Sequence, residues 1–253
     1  EEEWEAVTVA ENKGELEVEI KIISNLIDKA KEIIGRESEI KLSELKKALK
    51  EGFEKIKAMN GNFKILIFTE SKDTLEYLDG KIKNWGYKVN YIHGGMSIDE
   101  RKYAQKNFRD ETGVMIATEA AGEGINLQFC HIMINYDIPW NPNRLEQRMG
   151  RIHRYGQQKD VFIYNLVAED TREGKVLLKI FEKLEEIKDK LGSDRAFDVI
   201  GDVFEGKNLY QLILEAVTTA KSLDEILKEI DFKPDDNYIK KIKEVLGESL
   251  ATK

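Results

Sequence analysis

Between Pro139 and Lys159 the chain carries five basic residues, Arg144, Arg148, Arg151, Arg154 and Lys159, against one acid, Glu146. Guanidinium groups stay charged and present planar donor forks, so arginines in an ordered row suit phosphate. Asn141 followed by Pro142 is a helix start: the Asn side chain caps, and the missing N–H of proline costs nothing at the first helical position. On the helix that follows, Arg144, Arg148 and Arg151 fall at i, i+4 and i+7 and share one face. Leu145, Met149 and Ile152 form the neighbouring stripe and point inward. Arg154 extends the basic face by a turn or lies where the helix ends. Gly150 breaks the pattern: a glycine inside a helix costs roughly 1 kcal/mol against alanine, so it permits close approach or ends the helix early. Spacing alone leaves open a phosphate-binding face and a merely solvated basic one.

Three more polar clusters follow short apolar runs. Thr69 and Ser71 close the first run, where Ser71 also suits a helix cap. His93, Gly94 and Gly95 close the second, with Arg101 downstream; glycines there let a backbone approach a ligand or simply make a turn. Thr118 closes the third and leads into Gly122 and Gly124, whose N–H groups can face an anion. A bare pair of glycines is also a tight turn.

The elements that must position these residues can be read from periodicity. Short apolar runs at 64–68, 89–92, 114–117, 132–136 and 161–166 read as five strands. Helices are expected at 74–85 and at 98–108, the latter opened by Ser97 with Glu100 as a capping box. Strands alternating with helices imply a parallel, doubly wound sheet, in which ligands meet the carboxyl ends of the strands. Each cluster above sits just after a strand. Upstream, 15–34 and 43–59 show helical spacing and read as packing elements. Downstream, Thr171 caps a helix running to Ile187, and helices are expected at 193–204, 209–227 and 238–246, with apolar stripes that read as packing.

Composition narrows the function classes. The 253 residues suffice for a buried core, and a net charge of −8 with 35% charged residues argues against a generally sticky nucleic-acid coat. Any nucleic-acid contact must be a local basic strip. One cysteine, Cys130, excludes an internal disulfide framework and fits a reducing compartment; beside an apolar run it reads as buried and inert. No signal peptide or long apolar run is evident, so a cytoplasmic protein without membrane contact is expected. Lys and Glu enrichment with six Gln fits a hyperthermophilic source. The three histidines, His93, His131 and His153, lack metal-ligand spacing, so no metal site is expected. A phosphate-cradling Gly-x-x-x-x-Gly-Lys-Ser/Thr run is missing, as is a strand ending in an Asp-Glu pair for magnesium.

The run from Gln147 to Gln157 resembles motif VI of SWI/SNF-type superfamily-two helicase-like ATPases. The lead-in from Asn135 to Pro142 is similar to the bacterial and archaeal members related to RapA. The clusters at Thr69/Ser71 and at 118–127 resemble motifs IV and V of the same family. The resemblance implies an α/β fold, a RecA-like, doubly wound and mainly parallel sheet with helical N- and C-terminal additions. It implies a tail and helical segment over 1–60, a second RecA-like lobe over 61–170, and a helical brace over 171–253. In that family Arg151 and Arg154 would act as arginine fingers. Gly122, Gly124, Asn126, Gln147 and Arg148 would lie on the ATP side, and Thr69, Ser71, His93, Gly94 and Thr118 on the nucleic-acid side. ATP and Mg2+ would be held mainly by a first lobe upstream, and this chain alone would hold neither. The initial Glu in place of Met fits a piece cut from a longer protein or a trimmed tail. Expected partners are that first lobe, the backbone of double-stranded DNA, and RNA polymerase or another DNA-bound protein. The rival expectation is a non-catalytic adaptor lobe that grips nucleic acid or polymerase. Because the residues for phosphate and magnesium are absent, the 253-residue chain should show no ATPase with or without DNA. Turnover that persists through purification and disappears in an Arg151→Ala control would contradict this.

Overall fold

The computed structural model describes residues 13–35, 39–119, 126–139, 142–153, 157, 159–191, 211, 214, 222–231 and 235–251. Two compact units are distinguished, Glu1–Glu44 and Leu45–Lys253. In the first, α1 (Lys13–Gly35) is a long amphipathic helix. Its stripe, expected to be packed, is open to solvent: Leu16, Ile20, Ile23 and Ile27 are all about half exposed. Periodicity registers such a stripe but not what covers it.

The second unit is built on five strands, β1 (Ile65–Thr69), β2 (Val89–Ile92), β3 (Val114–Thr118), β4 (Ile132–Asn135) and β5 (Phe162–Asn165). They lie in the order β2-β3-β1-β4-β5, and every pairing is parallel. All five expected strands are present, each shifted by a residue or less at its ends or exact. β1, β3 and β4 are buried along their whole length, which is why they read as continuous apolar runs instead of alternating ones.

Helices cover both faces. α2 (Ile40–Ala58) brings Gly52 so close to the sheet that a Cβ there would meet Ile65 Cδ1 at 3.0 Å and Ile132 Cγ2 at 3.2 Å. α3 (Lys72–Asn84) is capped by Ser71, whose side chain accepts from the Asp73 N–H at 3.1 Å. α4 (Ile98–Asp110) opens with the expected capping box of Ser97 and Glu100. Ala104 and Phe108 from α4 pack with Leu66, Phe68, Met115, Ala117 and Met133 in one core.

A second core joins α5 (Pro142–Met149), α6 (Arg172–Leu191), α7 (Leu223–Ile230) and α8 (Asp236–Ala251) through Leu145, Ile180, Leu184, Ile226 and Ile242. Thr171 caps α6 by accepting from the Gly174 N–H at 2.9 Å. The helix expected over 209–227 is not continuous: Ser222 has extended backbone and starts α7 with its own capping box, Glu225 returning to the Ser222 N–H. The helix expected over 193–204 lies outside the described residues. Among the described residues no helix is long and apolar enough to cross a membrane.

Cys130 is fully buried, and its thiol donates toward the Lys64 and Ile132 carbonyls, each at 3.2 Å. Burial pushes that thiol up to about 12. Since the thiolate is the nucleophile, the native chain at about pH 8 should resist iodoacetamide and react fully only in denaturant. Rapid alkylation of the folded chain would show that this core opens.

Candidate functional site at the carboxyl edge of the sheet

Four of the strands, β1, β3, β4 and β5, end at one polar row. Thr69 of β1 is in register with Thr118 of β3, Phe68 with Asn135 of β4, and Asn135 with Asn165 of β5. Buried polar groups must find partners, and here they find each other. Thr69, fully buried, donates its hydroxyl to Asp137 Oδ2 at 2.6 Å. Asn135 Nδ2 donates to Asn165 Oδ1 at 2.8 Å. The chain leaving β4 is held by the Tyr136 N–H, which donates to the Phe68 carbonyl at 2.9 Å.

Into this row comes Arg148 from α5, a charged side chain only 2% exposed. Its Nε donates to Glu119 Oε1 at 3.0 Å, with Nη2 2.9 Å from the same oxygen. Its Nη1 donates to the Asp137 carbonyl at 2.6 Å and to Asn135 Oδ1 at 3.2 Å. The guanidinium carbon lies 5.2 Å from the centre of the Phe68 ring. Burial lowers the pKa of Arg148, and the neighbouring charges of Glu119, Glu70 and Asp137 oppose that. The same site raises the Glu70 carboxyl, chiefly by burial, with Arg148 pulling the other way. The second carboxylate oxygen of Glu119 takes Arg144 Nη1 at 2.9 Å, from a side chain that is mostly exposed. Glu119, immediately after β3, thus bridges two arginines one helical turn apart.

α5 stops at Met149, and Gly150 to His153 form a turn. Gly150 ends the helix early, so Arg151 does not continue the face of Arg144 and Arg148; the shared three-arginine face is corrected to a pair followed by a turn. That turn is stitched by the Arg151 N–H to the Arg148 carbonyl at 3.0 Å and by the His153 N–H to the Met149 carbonyl at 2.9 Å. The Leu127 N–H donates to the Arg151 carbonyl at 3.1 Å, and Gln157 Nε2 donates to the carbonyls of Gln128 and Ile152. Ile152 is fully buried in the core beneath the turn, and Leu145 in the other core.

The remaining expected residues fall as follows. Gln147 is exposed on α5, and Arg151 is partly exposed. Asn126 is exposed, its carbonyl taking Gln105 Nε2 at 2.8 Å and its Oδ1 the Gln128 N–H at 3.1 Å. Gly122, Gly124, Arg154 and the Asn141 cap lie outside the described residues. His93 stacks on Tyr91, with ring centroids 6.0 Å apart, and its Nδ1 accepts from the Gly95 N–H at 3.2 Å. Arg101 shapes that loop, donating to the carbonyls of Gly94 at 2.8 Å and Met96 at 3.0 Å. Thr118 is 6% exposed. Thr69 is fully buried and its hydroxyl ties β1 to Asp137 beyond β4, and the Arg148 side chain is bonded to Glu119, Asn135 and the Asp137 carbonyl at the strand ends. Among the described residues no group of three His, Cys, Asp or Glu side chains could hold a metal ion. Glu119, Asn135 and Asp137 were not singled out from the sequence. One signal was available: Arg148 lies between Leu145 and Met149 on the helix, so its charge needed a buried acid.

Comparison with known proteins bears on what this edge serves. Residues 40–156 match the family described as the helicase conserved C-terminal domain. The uncharacterized ATP-dependent helicase YqhH of Bacillus subtilis (strain 168) is 49% identical over 121 residues, 48% of this chain and 22% of that protein. The RNA polymerase-associated protein RapA of Vibrio cholerae serotype O1 (strain M66-2) is 33% identical over 133 residues, 51% of this chain and 14% of that protein. The chain therefore spans about a fifth or less of the length of these relatives. Among solved structures, the C-terminal part of the Fun30 ATPase domain superposes with a TM-score of 0.50 at 29% identity, covering 56% of this chain and 45% of that one.

Proposed function

The chain carries the C-terminal lobe of a SWI/SNF-type superfamily-two helicase, and from that premise we propose that it delivers arginines to ATP bound on a first lobe, driving movement along double-stranded DNA. The observation that supports this most is the Arg151 turn. Its N–H and carbonyl are both bonded, to Arg148 and Leu127, while the residue remains partly exposed. A guanidinium held by a fixed backbone stabilises charge as it develops in phosphoryl transfer, with little reorganisation. Arg154, three residues on, is the second finger in this reading, and Gln147, Gly122, Gly124 and Asn126 line the ATP side.

ATP and magnesium would be held mainly by the first lobe. Two carboxylates near this site are directed to protein groups, Glu119 to two arginines and Asp137 to Thr69. They fit a lobe that meets phosphate with arginine, not one that cradles the metal. Ser71, His93, Gly94 and Thr118 would face the DNA backbone at the same carboxyl edge. The strip is short and the net charge is −8, so binding by this lobe is weak, sequence-independent and salt-sensitive. RNA polymerase is a candidate partner, on the likeness to RapA.

In a protein containing both lobes, Arg151→Lys and Arg154→Lys keep the charge and lose the planar fork. Turnover should fall by roughly 10³-fold or more, in the range of arginine fingers, while DNA affinity changes little. Modest losses in step with weaker DNA binding would reduce these residues to a phosphate grip and favour the adaptor reading.

A further inference from the structure

We infer that Arg148 is a positioning residue for Arg151, locking the turn that carries it to the ends of β3 and β4. The inference rests on the finger reading of Arg151 given above. Arg148 connects the two in covalent sequence and in space. Its side chain is tied to Glu119 just after β3 and to Asn135 and the Asp137 carbonyl at the end of β4. Its own carbonyl accepts the Arg151 N–H at 3.0 Å. The peptide of Arg151 is thus fixed from one side by a residue that cannot move without breaking a buried ion pair. From the other side it is fixed by Leu127, whose N–H donates to the Arg151 carbonyl. Past Gly150 the turn is held by these ties together with the Ile152 and His153 N–H bonds to the Met149 carbonyl.

The geometry also separates Arg148 from Arg144, which shares Glu119. Arg144 is mostly exposed, and its ion pair is of the solvent-screened kind that contributes little. Arg148 needs a fork: three donors are aimed at three different groups, Glu119, Asn135 and the Asp137 carbonyl, and a lysine ammonium on a flexible stem cannot reproduce that arrangement. Glu119 is the matching positioning residue on the strand side.

Two measurements test this. In the 253-residue chain, hydrogen exchange should report Arg148→Lys as faster exchange of the 151–153 amides, by about tenfold or more, with the amides of β1, β3 and β4 still protected. Glu119→Gln, which keeps shape and loses charge, should do the same and serves if the lysine variant does not fold. Unchanged exchange at 151–153, or a uniform loss across the sheet, overturns the inference. In the two-lobed protein, Arg148→Lys should lower kcat by up to about 10²-fold, as expected for a misplaced catalytic group, with KM for ATP and DNA affinity nearly unchanged. The double variant Arg148→Lys/Arg151→Ala should be no slower than Arg151→Ala alone, because the first residue acts through the second. Multiplying losses would mark Arg148 as merely structural and overturn the inference. If Arg151→Ala leaves kcat intact while the exchange arm responds as stated, the finger reading falls and the tie between strand ends and turn stands.

Discussion

A guanidinium buried to 2% exposure is the constraint around which this lobe is arranged. Taking a charge out of water costs several kcal/mol per ion, recovered only where geometry is good and every donor is met. Here Nε and Nη1 are met by an acid directly after β3 and by a side-chain amide and a carbonyl beyond β4, with an aromatic ring from β1 alongside, while Nη2 keeps only its ion-pair approach to Glu119. Those three strands are neighbours only because the sheet order places β1 between β3 and β4. The charge therefore checks the register of the sheet's centre: a slip of one residue would turn Asn135 to the opposite face. The helix that bears Arg148 is short, and the ion pair with Glu119 holds it at the sheet edge as much as Leu145 does from below.

From this follows how a site can be rigid where the chain is irregular. Strands end, the apolar core runs out, and polar side chains must satisfy one another at the rim. Thr69 with Asp137 and Asn135 with Asn165 bind adjacent strand ends together. The turn after Gly150 inherits that rigidity through backbone bonds to Arg148 and Leu127. Loops that carry function on a fixed scaffold are the usual arrangement in open α/β sheets.

Much of this was legible in the sequence, and the failures have a common cause. β1, β3 and β4 announced themselves because they are buried along their whole length and hence apolar throughout, and the partly buried β2 and β5 still stood out as short runs. The Ser97–Glu100 cap was readable because its signal is local and chemical. The arginine row was misread as one face because helical spacing was extended through Gly150, where the helix has ended. Sequence shows Thr69 and Arg148 as polar residues without showing their partners, Asp137 and Glu119. Glu119, Asn135 and Asp137 come together only once β3, β1 and β4 are placed side by side. Pairings between residues dozens of positions apart leave no periodic trace. The stripe of α1 makes the same point from the opposite side: its period is plain, yet its apolar residues stand in solvent.

The most direct measurement of the central claim is a stability cycle on the buried pair, read by denaturant unfolding of the chain. Arg148→Met and Glu119→Leu singly each leave a charge without its main partner, whereas the double variant leaves an apolar pair. If the pair is the tie described here, each single change should cost on the order of 3 kcal/mol. The double variant should cost less than the two added, with a coupling of about 1.5 kcal/mol or more. Losses that add to within about 0.5 kcal/mol would mean that Arg148 and Glu119 are neighbours without being partners, and would contradict the account.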